Sequence, residues 1–286
     1  MSPVNPAPQP NFPNAFPAWW AGAWGEDETG LWMTLIFKER NVQQTFRWIE
    51  PGTFLMGSPG NEPERYNNET QHTVILTQGY WLANTTRTQS LWQAVMGDNP
   101  AEFKDNANNP VETVSWNDVQ QFIAKLNRLV PGLNACLPAE AQWEYACRAG
   151  TATPYSFGEN ISPEQVNYNG NYPYAGGGKG LYQQKTVPVK SLPPNPWGLY
   201  EMHGNLWEWC CDWWGDYPTK AVTDPGGPPD GADRVLRGGS WNGDGRGVRS
   251  ADRFRGTPDS RFQNFGFRLA LGQTASSKAS QGSESR

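Results

Sequence analysis

The chain has 286 residues and a formal charge of −5, with 15 Trp, 31 Gly and 25 Pro but only 18% charged residues. Its length allows one large domain or two small ones, either able to bury a sizeable core. Apolar residues reach only 37% and are concentrated in indole rings, which argues against a helical bundle and for short elements joined by ordered loop.

Residues 1 to about 18 are rich in Pro and Asn, and residues 272–286 are small and polar, so both ends read as tails. Between them, 19–271 reads as one domain without internal repeats. Leu31 to Lys38 and Gln44 to Glu50 are β-branched and aromatic runs that suggest a hairpin, and His72 to Thr77 continues the pattern. Three helices follow. Thr88 is placed to cap QSLWQAVM before Gly97, and Ser115 to cap a helix with Val119, Phe122, Ile123, Leu126 and Leu129 on one stripe. Pro138 opens AEAQWEYACRA before Gly150. From Thr151 onward Gly, Pro, Asn, Tyr and Trp dominate, and LWEWCCDWW, RVLRGG and a closing GFRLAL read as strands. The sum is an α+β domain whose ends meet in a sheet.

No run approaches the roughly 20 apolar residues of a membrane helix, and the N-terminus lacks the basic start and apolar core of a leader, so a cytoplasmic protein without a membrane partner is expected. Four cysteines, two of them adjacent (Cys210, Cys211), give neither zinc spacing nor a disulfide framework. With two histidines, His72 and His203, a metal centre built mainly on imidazole is not available. The turn GLYEMHGNLWEW places Glu201 and Glu208 around the carbonyls of Gly204 and Leu206, an oxygen set suited to calcium or, more simply, to capping local N–H groups. Between Arg234 and Arg268 eight arginines face three aspartates, a local charge of +5. A structural network of Arg, Asp and Trp is the better reading of that segment, and nucleic acid is not the expected partner. GDGRG at 243–247 is not a dinucleotide turn, and nothing near Ser240 recruits either histidine as a base.

Taken in order, FLMGSPGNEPER, TQSLWQAVMG, NPVETVSWNDV, CLPAEAQWEYACRAG, NYPYAGGGKG, WGLYEMHGNLWEWCCDWW, RVLRGGSW and NFGFRLA resemble the formylglycine-generating enzyme (sulfatase-modifying factor) family over about residues 47–271. The resemblance implies an elaborated C-type-lectin-like α+β fold with little regular secondary structure and structural calcium. One calcium site falls on the segment of Glu201, Gly204, Leu206 and Glu208. Another falls on Asn167 and Tyr168, but Lys179 occupies an acidic position of the family pattern, so that site is expected to be lost or filled by the ammonium group. The family's oxidases bind copper through two cysteines after the GGSW motif. Here that stretch, WNGDGRGVRSADRFRGTPDS, has no cysteine; copper(I) needs soft thiolates, so no copper and no oxidase activity are expected.

The same stretch resembles the variable proteins of diversity-generating retroelements, in which a fixed RGGSW…RSA…R…PD…R…GFR scaffold alternates with positions rewritten at adenines. The scaffold here is Arg237 to Trp241, Arg249 to Ala251, Arg253, Pro258, Asp259, Arg261 and Gly266 to Arg268. Asn242, Gly243, Asp244, Gly247, Asp252, Phe254, Gly256, Thr257, Ser260 and Phe262 lie between, each reachable from an Asn codon by changing adenines. With Trp241, Arg246 and Asn264 they form the expected surface, within 237–268, for a protein or other macromolecular ligand. Two alternatives stand beside this reading: a sulfatase-modifying-factor-type enzyme, and an accessory scaffold of a larger assembly.

Overall fold

The computed structural model describes residue 13 and residues 16–272. The expected tails therefore lie mostly outside the described residues, although Phe16 already stacks on Trp81 with ring centroids 5.9 Å apart. Among the described residues, three sheets and three α-helices pack around three buried apolar clusters. The first strands are β1 (Ala21–Asp27), β2 (Gly30–Phe37), β3 (Val42–Ile49), β4 (Gly52–Met56), β5 (His72–Leu76) and β6 (Tyr80–Ala83). Then come α1 (Gln89–Met96), α2 (Trp116–Leu129), β7 (Ala135–Cys136) and α3 (Glu140–Arg148). The last part holds β8 (Trp207–Trp213), β9 (Val222–Thr223), β10 (Arg234–Arg237), β11 (Arg253–Gly256), β12 (Phe265–Gly266) and β13 (Ala270–Leu271).

The largest sheet runs β1-β2-β3-β6-β13-β7, so the last strand enters the sheet that the first strands begin. The hairpin expected around residues 31–50 is the antiparallel β2–β3 pair, Trp32 opposite Arg47 through Phe37 opposite Val42. The closing GFRLAL segment is not one strand. Phe265 and Gly266 pair in parallel with Trp207 and Glu208 of β8, whereas Ala270 and Leu271 pair with β6 and β7. The chain changes sheets between them, where the Arg268 side chain turns inward and is wholly buried.

The helix caps follow from side-chain chemistry. Thr88 Oγ1 accepts from the Leu91 amide at 3.2 Å, and Gly97 ends α1 with φ 97°. Ser115 and Asp118 form a reciprocal capping box on α2. Val119, Phe122, Ile123 and Leu126 are buried, but Leu129, expected on the same stripe, is 54% exposed because it sits in the last turn beyond the core. Pro138 precedes the cap of α3 rather than lying in its first turn, since Ala139 is the N-cap. Trp92 stacks on Phe122 at 5.2 Å and Phe267 meets both edge-on, which joins α1 and α2 to the chain's final segment. Between Gly150 and Leu206 the chain forms no helix and only isolated bridges.

Candidate functional site

The arginines of the C-terminal segment are the framework. Arg237, Arg249, Arg253 and Arg268 are all buried, and a buried guanidinium persists only when it is paired and its N–H groups are filled. Arg237 reaches Glu144 and donates to the carbonyls of Ser250 (2.8 Å), Ala251 (3.1 Å) and Asp252. Arg249 takes Glu62 at 2.6 Å and spans both oxygens of Glu69 at 2.8 and 2.7 Å. Arg253 grips Glu140 at 2.6 and 2.9 Å, and Arg268 grips Glu208 at 2.6 and 2.7 Å. Burial works against the Glu140 charge, but Arg253 and Arg237 hold its carboxyl below the usual range. The expected network of Arg, Asp and Trp is thus one of Arg, Glu and aromatic rings. Arg234 lies between Trp116 and Trp213, 3.9 and 3.4 Å from their ring centroids, and Arg253 lies 3.6 Å from that of Tyr217. Of the scaffold set, Arg261 and Asp259 are exposed; Arg261 clamps Asp118 of the α2 cap at 2.7 and 2.8 Å.

Most intervening residues do face water. Asn242, Asp244, Phe254, Thr257 and Phe262 are exposed, and Gly243, Arg246, Gly247, Gly256, Ser260 and Asn264 are half-buried. The alternation is set by the β10–β11 pair, in which Leu236 opposes Phe254 and Arg237 opposes Arg253. Arg253 points in, so Phe254 must point out. Phe254 (45% exposed) stacks on Trp207 at 5.2 Å, and Phe262 (54% exposed) meets Phe265 edge-on at 5.0 Å. The two phenylalanines are neither core nor isolated: they form one aromatic strip on buried Phe265. Beside it, the Asn264 amide donates to Asn242 Oδ1 at 3.0 Å and to Ser240 Oγ at 3.2 Å. Farther along, Asp244 Oδ1 accepts the Gly247 amide at 2.8 Å, and Arg246 lies 3.5 Å over the Tyr66 ring.

Two members of the expected ligand-facing set lie inside. Trp241 is 6% exposed, between Tyr182 in a near-parallel stack and Phe103 edge-on, so it belongs to the frame. Asp252 is 4% exposed, and burial pushes its carboxyl up to about 8, so it offers no charge to a partner. Gly239 holds the turn that starts the surface: φ is 72°, and a Cβ there would run into the Gly247 carbonyl oxygen.

The expected calcium segments come together, since Asn167 bridges Gly204 in parallel and its carbonyl accepts from the Asn205 amide at 2.8 Å. Glu208 does not fit a cation: Arg268 occupies both its oxygens, and the Trp143 indole N–H donates to Oε2 at 2.7 Å. The Gly204 carbonyl accepts the Leu206 amide at 2.8 Å. Asn167 Oδ1, Tyr168 Oη and Glu201 Oε2 are buried without a hydrogen-bond partner and so retain lone pairs for an ion. Glu201 Oε1 accepts the Lys190 amide at 2.9 Å.

Ser240 Oγ meets Asn242 and Asn264 rather than a histidine, and although Cys147 Sγ lies 3.7 Å from His203 Nε2, both nitrogens of that ring are already engaged. His203 Nε2 is 3.1 Å from the Ser156 amide, Nδ1 is 2.8 Å from the Val248 carbonyl, and burial holds the ring's pKa down at about 4. Burial pushes the Cys136 and Cys147 thiols up to about 12 and the Cys210 and Cys211 thiols well above their usual range, the opposite of an activated thiolate. Sequence reasoning missed the counterions Glu62, Glu69, Glu140 and Glu144. One signal was available: Glu140 and Glu144 stand four apart on a helix, on the face that carries Trp143 and Cys147 toward the core.

This arrangement defines a loop-rich α+β domain of C-type-lectin-like architecture, with an ion-paired frame beneath a solvent-facing C-terminal surface. The sulfatase-modifying factor enzyme 1-like domain matches residues 34–272, and the chain belongs to that family. It is 38% identical over 208 residues to the mouse (Mus musculus) formylglycine-generating enzyme, covering 70% of this chain and 53% of that protein. It is 39% identical over 180 residues to the Streptomyces coelicolor formylglycine-generating enzyme, covering 59% and 55%. The chain thus spans about half the length of the curated relatives it matches. Treponema denticola variable protein 1 superposes with a TM-score of 0.73 at 29% identity, over 84% of this chain and 98% of that one.

Proposed function

We propose that the protein is a non-catalytic ligand-binding protein of the variable type, which presents Asn242, Asp244, Phe254, Thr257 and Phe262 to a protein or other macromolecular ligand. The observation that carries this reading is a division of labour. Arg237, Arg249, Arg253 and Arg268 are buried and ion-paired, while residues between them face solvent and hold little of the fold. The Treponema variable protein supports it through its similarity over nearly its whole length. Exposed aromatic rings flanked by Asn, Asp and Thr suit a protein surface. Nucleic acid is disfavoured, because most arginines of the segment are spent on glutamates and rings. Diversification is tested by the flanking DNA. A near-copy of the segment encoding residues 237–268, differing at adenines and lying beside a reverse transcriptase gene, is expected; its absence removes that part of the reading.

The relatives named formylglycine-generating enzyme favour an oxidase as the second reading. Incubation with copper(I) and a cysteine-containing sulfatase-type peptide decides between them. No aldehyde is expected by mass spectrometry, because residues 242–261 hold no cysteine and the four thiols elsewhere resist ionisation; aldehyde formation would establish the enzyme.

A structural calcium forms part of the proposal, held by the unpartnered oxygens of Asn167, Tyr168 and Glu201 rather than by Glu208. Burial pushes the Glu201 carboxyl up to about 8, so the ion would displace its proton on binding, and it would tie the 167–168 and 201–206 loops together. EGTA is expected to lower the melting temperature by several degrees, since a ligand bound only to the folded state adds roughly 3 kcal/mol at a hundredfold excess over Kd. An unchanged melting curve removes the ion.

A further inference from the structure

Apart from the 242–264 surface, a cleft of about 560 Å³ opens beside the β1–β2 turn, the end of β3 and α3. Trp48, Tyr145 and Trp197 line it, and Glu26 and Glu50 bring exposed carboxylates to it. Tyr145 and Trp197 meet edge to face, with centroids 4.9 Å apart and planes at 72°, and so make two walls of a corner. Trp48 is backed by Trp81 at 5.3 Å. The rings are seated on bare backbone, because a Cβ at Gly52 would strike the Tyr145 hydroxyl and one at Gly79 the Trp48 ring.

Glu26 and Glu50 form no ion pair among the described residues. Arg47, near Gly198, is already bound to Asp27 at 2.7 Å. Burial first and the Glu50 charge second push the Tyr145 hydroxyl above its ordinary range, so the carboxylate acts on the aromatic wall. The cleft therefore combines π faces with two carboxylates that are unpaired among the described residues.

We propose that this cleft binds an organic cation of the quaternary-ammonium class, with the alkylated nitrogen against Trp48, Tyr145 and Trp197 and its charge balanced by Glu26 and Glu50. Aromatic faces attract cations that water hydrates weakly. A metal ion is a poor occupant, because its shell needs several converging oxygens, whereas here two carboxylates stand beside three aromatic rings. The volume suits a small molecule or a head group. The inference is independent of the variable-surface reading, since it uses none of those residues.

Titration of the full chain with choline chloride, followed by tryptophan fluorescence and calorimetry, tests it. Saturable binding is expected, with 3,3-dimethylbutan-1-ol, the neutral isostere, about tenfold or more weaker. E26Q/E50Q is expected to keep the wild-type melting temperature and lose about tenfold in choline affinity; W197F, which keeps a smaller ring, should lose less. Sedimentation with phosphatidylcholine vesicles but not phosphatidylglycerol vesicles would place the cation on a lipid head group, and choline binding without sedimentation would place it on a free solute. Absent saturation, equal affinity for the neutral isostere, tighter binding of N-acetyl-arginine amide, or unchanged choline affinity in E26Q/E50Q would each overturn the proposal.

Discussion

Arg237→Ala is expected to cost about 3–5 kcal/mol of folding free energy, a large part of the roughly 5–15 kcal/mol that a domain has. The side chain is fully buried and joins α3 to three successive carbonyls at 250–252. Its loss leaves those carbonyls unfilled beneath Trp143, whose ring lies 5.4 Å from the guanidinium carbon. Glu144 would keep Arg148 at 2.8 Å and the Gly57 amide at 2.9 Å, so the damage should centre on the loop rather than on the helix. Denaturant titration followed by tryptophan fluorescence reads the effect directly. Arg261→Ala is the control: its ion pair with Asp118 is half-exposed and should be worth about 1 kcal/mol or less. Equal midpoints for the two variants would show that the buried arginines are not the frame.

That contrast explains what was legible in the sequence. The helices were readable because their caps are local: Ser115 and Asp118 satisfy one another three residues apart, and Thr88 and Gly97 bracket α1. The β2–β3 hairpin was readable from its residues, but β9, β11 and the two halves of the closing segment exist only because distant chain lies beside them. The exposed phenylalanines could not be told from core residues without the β10–β11 register, which turns Arg253 in and Phe254 out. Trp241 and Asp252 fail as surface residues for the same reason: position between scaffold residues says nothing of direction once the backbone folds back. Arginine's need for counterions was visible, whereas Glu62 and Glu69, 187 and 180 residues from Arg249, were not tied to it by any local pattern.

Simultaneous randomisation of Asn242, Asp244, Phe254, Thr257 and Phe262 is expected to leave most variants folded. Surface changes that remove no buried partner usually stay within about 0.5 kcal/mol each. The two phenylalanines will cost more, since each also covers an aromatic neighbour: Trp207 for Phe254 and Phe265 for Phe262. Displayed on cells and selected against a defined target such as lysozyme, this library should yield binders. Reverting their acquired aromatic residues to Ala should weaken capture by roughly 30-fold or more for each central anchor, the scale of a 2 kcal/mol hot spot. A matched library at Arg237, Arg249, Arg253 and Arg268 should yield almost no protease-resistant protein, because most replacements strand a buried glutamate. If the two libraries fold at similar frequency, frame and surface are not separate and the ligand-binding reading loses its physical basis. If only the first folds yet selection returns no binder, the exposed strip is not a recognition surface even though it is free to vary.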